Sequence, residues 1–160
     1  MSAKIDFSVN GKAVSVSPAN EETPLLAILR GVLGLMGTRF GCGLEQCGCC
    51  MVLIDGSPEK SCAKPVWSVA GKKITTVESL GTAERPHPLQ QAFLDEQAGQ
   101  CGYCLSGIMI TAKALIDRNP QPTRAEIAEA LDGNICRCGS HNRILRAVRK
   151  AAAAMRESSR

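Results

Sequence analysis

Residues 41–50 read GCGLEQCGCC, and a further cysteine follows at Cys62. Cys42, Cys47, Cys50 and Cys62 thus stand in the order C-x4-C-x2-C and a distant cysteine, the plant-type [2Fe-2S] spacing. The chemistry accounts for the pattern. Two irons and two sulfides form a rhomb, and each iron needs two thiolates. One tight loop can wrap three ligands around it, and a neighbouring strand can offer the fourth. Gly41, Gly43 and Gly48 are expected to let the backbone pass close by and to aim N–H groups at the sulfurs. Cys49 breaks the spacing. Adjacent side chains point in different directions, so Cys49 reads as a small packing residue beside the ligand Cys50.

Working outward from this loop, the N-terminal half reads as strands with one helix. Lys4–Val9 alternates, Asn10-Gly11 is a hairpin turn, and Ala13–Val16 alternates again. Thr23 offers an N-cap with Pro24 at the first helical position, and the helix is expected to run from Leu25 to Leu33 and stop at Gly34 and Gly37. Met51–Ile54 is a short apolar strand, Asp55-Gly56 turns the chain towards Cys62, and Ile74–Val77 is a last strand. Two hairpins and a helix around a mixed sheet give a β-grasp arrangement.

The stretch GTAERPH, residues 81–87, reads as a linker, and helices follow: Pro88–Gln97, Leu105–Arg118, Thr123–Leu131 with a Thr123/Glu126 capping box, and Asn142–Met155. The tail from Glu157 is expected to fray. The fold class is α+β: a ferredoxin-like β-grasp domain over residues 1–80, then a four-helix bundle over 81–160.

The helical half carries its own thiols, Cys101, Cys104, Cys136 and Cys138, as C-x2-C and C-x-C. The first pair opens a helix and the second precedes one, and helix N-termini suit an anionic cluster. Two cysteine pairs also serve structural zinc. Their spacing favours iron–sulfur modestly by itself, and strongly once the first group is considered.

Composition narrows the function. Nine cysteines in a chain that opens MSAKIDFSVNGK, without an apolar signal region, argue against a disulfide scaffold and for metal. No stretch reaches the roughly 18 apolar residues a membrane span needs. Cytoplasmic location is the expectation, with membrane association only through a partner. The formal charge of +4 and the 3% aromatic content do not make a nucleic-acid surface. Each oxidised cluster with four thiolates is a dianion, so two of them offset the basic excess. No nucleophile, general base, nucleotide fingerprint or substrate pocket is visible, so no residue of this chain is expected to be catalytic.

The strings GCGLEQCGCCMVLIDG, QCGYCLSGIMITAKAL and NICRCGSH resemble the small [2Fe-2S] subunit of molybdenum hydroxylases, the xanthine oxidase family. The likeness runs from about Ile5 to Arg149. Within the family it looks most like small subunits of the nicotinate dehydrogenase and isoquinoline oxidoreductase type. The resemblance implies an electron-transfer subunit with two clusters. A large partner would hold molybdopterin and hydroxylate an N-heteroaromatic such as nicotinate, and FAD or a c-type cytochrome would accept the electrons. It also implies that Gln100 and Cys138 contact the pterin, with the helical-domain cluster proximal to it. Cys49 stands where relatives usually have alanine or another small residue. An aldehyde-oxidising complex is the nearest alternative. A free-standing ferredoxin-like shuttle and a structural zinc protein are alternatives of other classes.

The remaining candidates have plainer readings. His87 and His141 read as linker or capping residues, because both four-cysteine sets are already complete. Arg137 could offset cluster charge. Arg143, Arg146, Arg149 and Lys150 read as a solvated face of the last helix.

Overall fold

The protein is described as a computed structural model over residues 4–158. Strand β1 (Ile5–Val9) buries Ile5, Phe7 and Val9 on one face and pairs antiparallel with β2 (Lys12–Val16) across the Asn10-Gly11 turn. Both turn residues have positive φ, 51° and 78°, as the two-residue hairpin requires. Strand β3 (Met51–Ile54) pairs antiparallel with β4 (Ser57–Lys60) and with β5 (Lys73–Thr75), and β5 lies parallel to β1. The sheet order is β2-β1-β5-β3-β4, the mixed β-grasp sheet. Asn10 ties hairpin to sheet: its Nδ2 donates to Thr76 Oγ1 and its Oδ1 accepts from the Thr76 N–H, each at 2.9 Å.

The helix laid on this sheet differs from the expected one. Helix α1 spans only Leu25–Ala27 and widens into a π-turn over Ile28–Val32. Thr23 is not its cap. The Thr23 hydroxyl donates to the Asn20 carbonyl at 2.6 Å instead. The first helical N–H groups find main-chain partners: Leu25 donates to Lys64 O at 2.7 Å and Leu26 to Ser61 O at 3.0 Å. A neighbouring segment thus satisfies the donors that a side-chain cap would otherwise serve. Leu25, Ile28 and Leu29 still bury against Ile5, Phe7, Val52 and Ile74. The end of the last strand also shifts. It stops at Thr75, and a 3-10 turn takes over at Val77–Ser79.

Four helices follow: α2 (Pro88–Asp95), α3 (Leu105–Arg118), α4 (Arg124–Ala130) and α5 (His141–Ser158). Helix α5 starts at His141 and is still helical at Glu157 and Ser158, so the expected fraying does not begin there. Residues 159 and 160 lie outside the described residues. Leu89 and Phe93 of α2 pack against Ile144, Ala147, Val148 and Ala151 of α5. The small alanines let the helix axes come close. Exposed basic residues of α5 also pair across to the end of α2: Arg146 with Glu96 at 2.9 Å, Lys150 with Asp95 at 2.7 Å, and Arg143 donates to Gln97 O at 3.4 Å. All three remain exposed, so the solvated-face reading holds, with surface ion pairs added to it.

Sheet and bundle share a core. Val52 and Ile54 of β3 face α1, whereas Leu53 faces the other way, onto Ile110 and Ala114 of α3. A strand buried on both faces reads as a continuous apolar run, which is what Met51–Ile54 is. Helix α3 also crosses the cysteine loop at Gly107. A methyl group there would collide with the Gly48 carbonyl oxygen and stand 3.2 Å from the Cys49 Cα, so only glycine allows this approach.

Candidate metal centres

Between α1 and β3 the chain has no regular structure after the π-turn, and most of the first thiol group lies there. Cys42 is exposed and Cys47 half-buried, whereas Cys50 and Cys62 are buried beside Leu26. The N–H groups of Leu44 and Gln46 point at Cys42 Sγ, at 3.4 and 3.3 Å, and the Cys42 N–H points at Cys47 Sγ at 3.4 Å. The Leu44 amide first, then those of Gln46 and Cys47, hold the Cys42 thiol down at about 6. A loop that stabilises a thiolate before any metal arrives is suited to ligation. The donors are Cys42, Leu44 and Gln46, not the glycines anticipated from sequence. Gly41 has the expected close approach, since a Cβ there would stand 2.7 Å from Cys47 Sγ. Gly48 has positive φ (73°), and a Cβ on it would strike Asn134 and the Gly133 carbonyl. It serves the joint with the bundle.

The second group gathers at the head of α3. Cys104 is the N-cap residue and is buried, Cys136 is buried, Cys138 is half-buried and Cys101 is exposed. Cys138 Sγ lies 3.5 Å from Cys101 Sγ. Burial pushes the Cys104 thiol up to about 12, and its neighbour is Cys136. Gln100 lies beside this group, and its Nε2 donates to the Cys138 carbonyl at 3.3 Å. The two residues that the resemblance linked to a pterin are therefore in contact, on an exposed edge.

Both groups divide their sulfurs two and two. Cys42 interacts with Cys47 and Cys50 with Cys62; Cys101 lies against Cys138 and Cys104 against Cys136. A structural zinc wants four ligands about one centre. Pairs of thiols fit a two-iron cluster, in which each iron takes two. All nine cysteines are free thiols.

A short bridge joins the two groups. The Ile135 N–H, next to Cys136, donates to the Cys47 carbonyl at 3.0 Å. Asn134 Nδ2 donates to the Gly48 carbonyl at 3.3 Å. Cys49 is buried as expected, but its surroundings were not legible in the sequence: it belongs to the same core as Cys104 and Cys136. Burial, and then the Cys47 thiol, push Cys49 up to about 12.

Large apolar side chains stand exposed beside both thiol groups. Phe40, Leu44, Tyr103 and Ile135 are 56%, 71%, 45% and 56% exposed, all on or next to the ligand loops. The Tyr103 hydroxyl donates to the Phe40 carbonyl, and the Arg39 guanidinium lies 5.6 Å from the Tyr103 ring centre. The two histidines are not placed as ligands. His87 Nδ1 accepts the Leu89 N–H at 3.1 Å and caps α2, and His141 opens α5.

Comparisons with known proteins bear on this geometry. The family described as 2Fe-2S iron-sulfur cluster binding domain matches residues 7–74, and the [2Fe-2S] binding domain family matches residues 76–149. The chain is 54% identical to one of the subunits of nicotinate dehydrogenase from Pseudomonas putida, over 98% of this chain and 99% of that protein. It is 47% identical to the alpha subunit of isoquinoline 1-oxidoreductase from Brevundimonas diminuta, over 92% and 97%. Among solved structures it is similar to one chain of quinoline 2-oxidoreductase from Pseudomonas putida 86, with a TM-score of 0.89 and 38% identity, covering 97% of this chain and 96% of that one.

Proposed function

The chain belongs to the family of small [2Fe-2S] subunits of the molybdenum hydroxylases, the xanthine oxidase family, and from that premise we propose that it relays electrons from a molybdopterin site in a large partner protein through two clusters to FAD or a c-type cytochrome. The proposed substrate is an N-heteroaromatic such as nicotinate. In this reading Cys42, Cys47, Cys50 and Cys62 hold the cluster of the ferredoxin-like domain, residues 1–80. Cys101, Cys104, Cys136 and Cys138 hold that of the helical domain, residues 81–160. When bound, each cluster supplies a one-electron couple between di-ferric and mixed-valence iron.

The observation that carries the reading is the bridge between the thiol groups. One main-chain hydrogen bond, from the Ile135 N–H to the Cys47 carbonyl, links a ligand of one set to the neighbour of a ligand in the other. The outer ends stay open. Cys101 and Gln100 are exposed at one and Cys42 at the other. At the receiving end Gln100 holds the Cys138 carbonyl and keeps its amide oxygen for the edge of a pterin. At the far end the amides of Leu44 and Gln46 stabilise negative charge on the Cys42 sulfur. Buried Cys50, Cys62, Cys104 and Cys136 keep water from the inner ligands.

The test is the visible spectrum of the natively purified complex, recorded anaerobically before and after nicotinate is added. Bleaching of the red-brown absorbance is expected. Bleaching by dithionite and an aldehyde but not by nicotinate would overturn the heteroaromatic assignment.

A further inference from the structure

Helices α4 and α5 leave a groove between them that the relay does not use. One end is an apolar pit of about 180 Å³, lined by Ala128, Leu131, Ile144 and Leu145. Asn134 and His141 also line it, so the pit begins two residues before Cys136 and three after Cys138. Asn134 is 5% exposed, and its Oδ1 has no partner among the described residues. Leu145 is shared with a basic cleft of about 330 Å³, where Arg124 of α4 faces Arg146 and Arg149 of α5. Arg149 is shared in turn with a further hollow, where Ala152, Ala153 and Arg156 meet Pro120 and Pro122. On α5 the residues Asn142, Leu145, Arg149, Ala152 and Arg156 recur at three- and four-residue intervals, so they form one stripe of the helix.

The charge along this stripe has one sign. Arg146 is held by Glu96, and Arg124 donates to Asn142 Oδ1 at 2.8 Å. The Arg149 and Arg156 side chains have no ion-pair or hydrogen-bond partner among the described residues. Glu126, two residues after Arg124, is taken by the Thr123 N–H and Asn119. Asp132 lines the pit and not the basic cleft. We propose that the groove docks an extended acidic segment of the large partner, with one bulky apolar side chain seated in the pit and carboxylates on Arg149 and Arg156. Guanidinium groups take carboxylates in pairs of hydrogen bonds, and the Asn134 Oδ1 offers an acceptor for a main-chain N–H. From Asn142 to Arg156 the helix rises about 21 Å, the reach of about six extended residues. Single exposed ion pairs contribute little, and the buried anchor beside them supplies the affinity. The occupant follows from position. Ile135, next to Asn134, belongs to the exposed apolar surface at the thiol groups, so the groove continues the face on which the proposed relay puts the large partner. The inference rests on that relay, whose electron acceptor would meet the other end, at Cys42.

The test compares assembly of the intact complex in wild type, Arg149→Glu/Arg156→Glu and Ala128→Trp, which fills the pit from an exposed position. Lys4→Glu/Lys12→Glu, exposed on the hairpin side of the sheet, is the charge-matched control. Both groove variants are expected to bind the large partner roughly tenfold or more weakly in dilution and sizing experiments, with full iron content. Wild-type assembly is expected to weaken with salt, and assembly of Arg149→Glu/Arg156→Glu to do so less. The control assembles as wild type. A photo-crosslinker at Ala153 is expected to attach to an acidic stretch of the large partner. Undiminished assembly of Arg149→Glu/Arg156→Glu, or an equal loss in the control, would overturn the proposal. So would a crosslink to the electron acceptor, to a second copy of this chain or to no protein. If the large partner is present and the groove variants assemble normally, the groove assignment alone fails. If no large partner accompanies the wild-type chain, the relay fails with it.

Discussion

At the scale of single residues, identity and surroundings carry different information. The eight ligand candidates were legible because spacing is a property of the chain, and the two-and-two pairing was not, because Cys50 meets Cys62 and Cys101 meets Cys138 only through the fold. Cys49 shows the same divide. Its exclusion from the ligand set follows from adjacency to Cys50, but its position against Cys47 and the helical core needs α3 in place. His87 was narrowed to linker or cap, and it is a cap whose Nδ1 accepts the Leu89 N–H and whose own N–H donates to Gln90 Oε1. Burial first, and then the charge of Lys113, depress its pKa below the usual 6.5. The folded state therefore binds fewer protons than the unfolded one below that value, and stability falls as pH drops from about 6.5. We expect His87→Ala to cost about 1 kcal/mol and His87→Asn to recover most of it. We also expect the acid-side loss of melting temperature below about pH 6.5 to be smaller in His87→Asn than in wild type. Melting curves from about pH 5 to 8 check this, and identical acid slopes in both proteins would refute the titration argument.

At the scale of elements, local signals succeeded where local chemistry decides. The Asn10-Gly11 turn, the Thr123/Glu126 capping box and the bounds Leu105–Arg118 are all as the sequence indicates. Helix α1 is the instructive miss. Thr23 and Pro24 form a sound cap signal, yet Lys64 and Ser61 carbonyls take the first helical donors and Thr23 bonds elsewhere. Those partners lie far along the chain and leave no local trace. The same holds for α3, whose Gly107 looks like an ordinary weak point in a helix but is the notch that admits the cysteine loop. Gly107→Ala is expected to destabilise by about 1–3 kcal/mol through overpacking, despite alanine's better helix propensity, and to lower the melting temperature accordingly. A neutral or stabilised Gly107→Ala protein would show that the loop does not rest on α3.

Across the whole molecule, the α+β order was readable from the shift between strand and helix periodicity, and the joint between the halves was not. It consists of Leu53 against Ile110 and Ala114, Asn134 on Gly48, and Ile135 on Cys47, all long-range contacts. The basic residues of α5 are solvent-facing as read, and the fold adds surface ion pairs from Arg146 and Lys150 to Glu96 and Asp95 at the α2 end. The apolar surface of Phe40, Leu44, Tyr103 and Ile135 has the character of an interface. Leu44→Arg is accordingly expected to weaken binding to the large partner by roughly tenfold or more in co-purification and sizing experiments, leaving iron content unchanged. Undiminished assembly would place the interface elsewhere. The account rests most heavily on two clusters held by two separate sets of four cysteines. Iron, zinc and acid-labile sulfide analysis of the purified complex, paired with spectra of its dithionite-reduced state for wild type and Cys104→Ser, addresses this directly. The account predicts two paramagnetic signals of equal intensity in wild type, with equal iron and sulfide, and one signal with half of this chain's iron in Cys104→Ser. Zinc in place of iron, or a Cys104→Ser protein that keeps both signals, would contradict it.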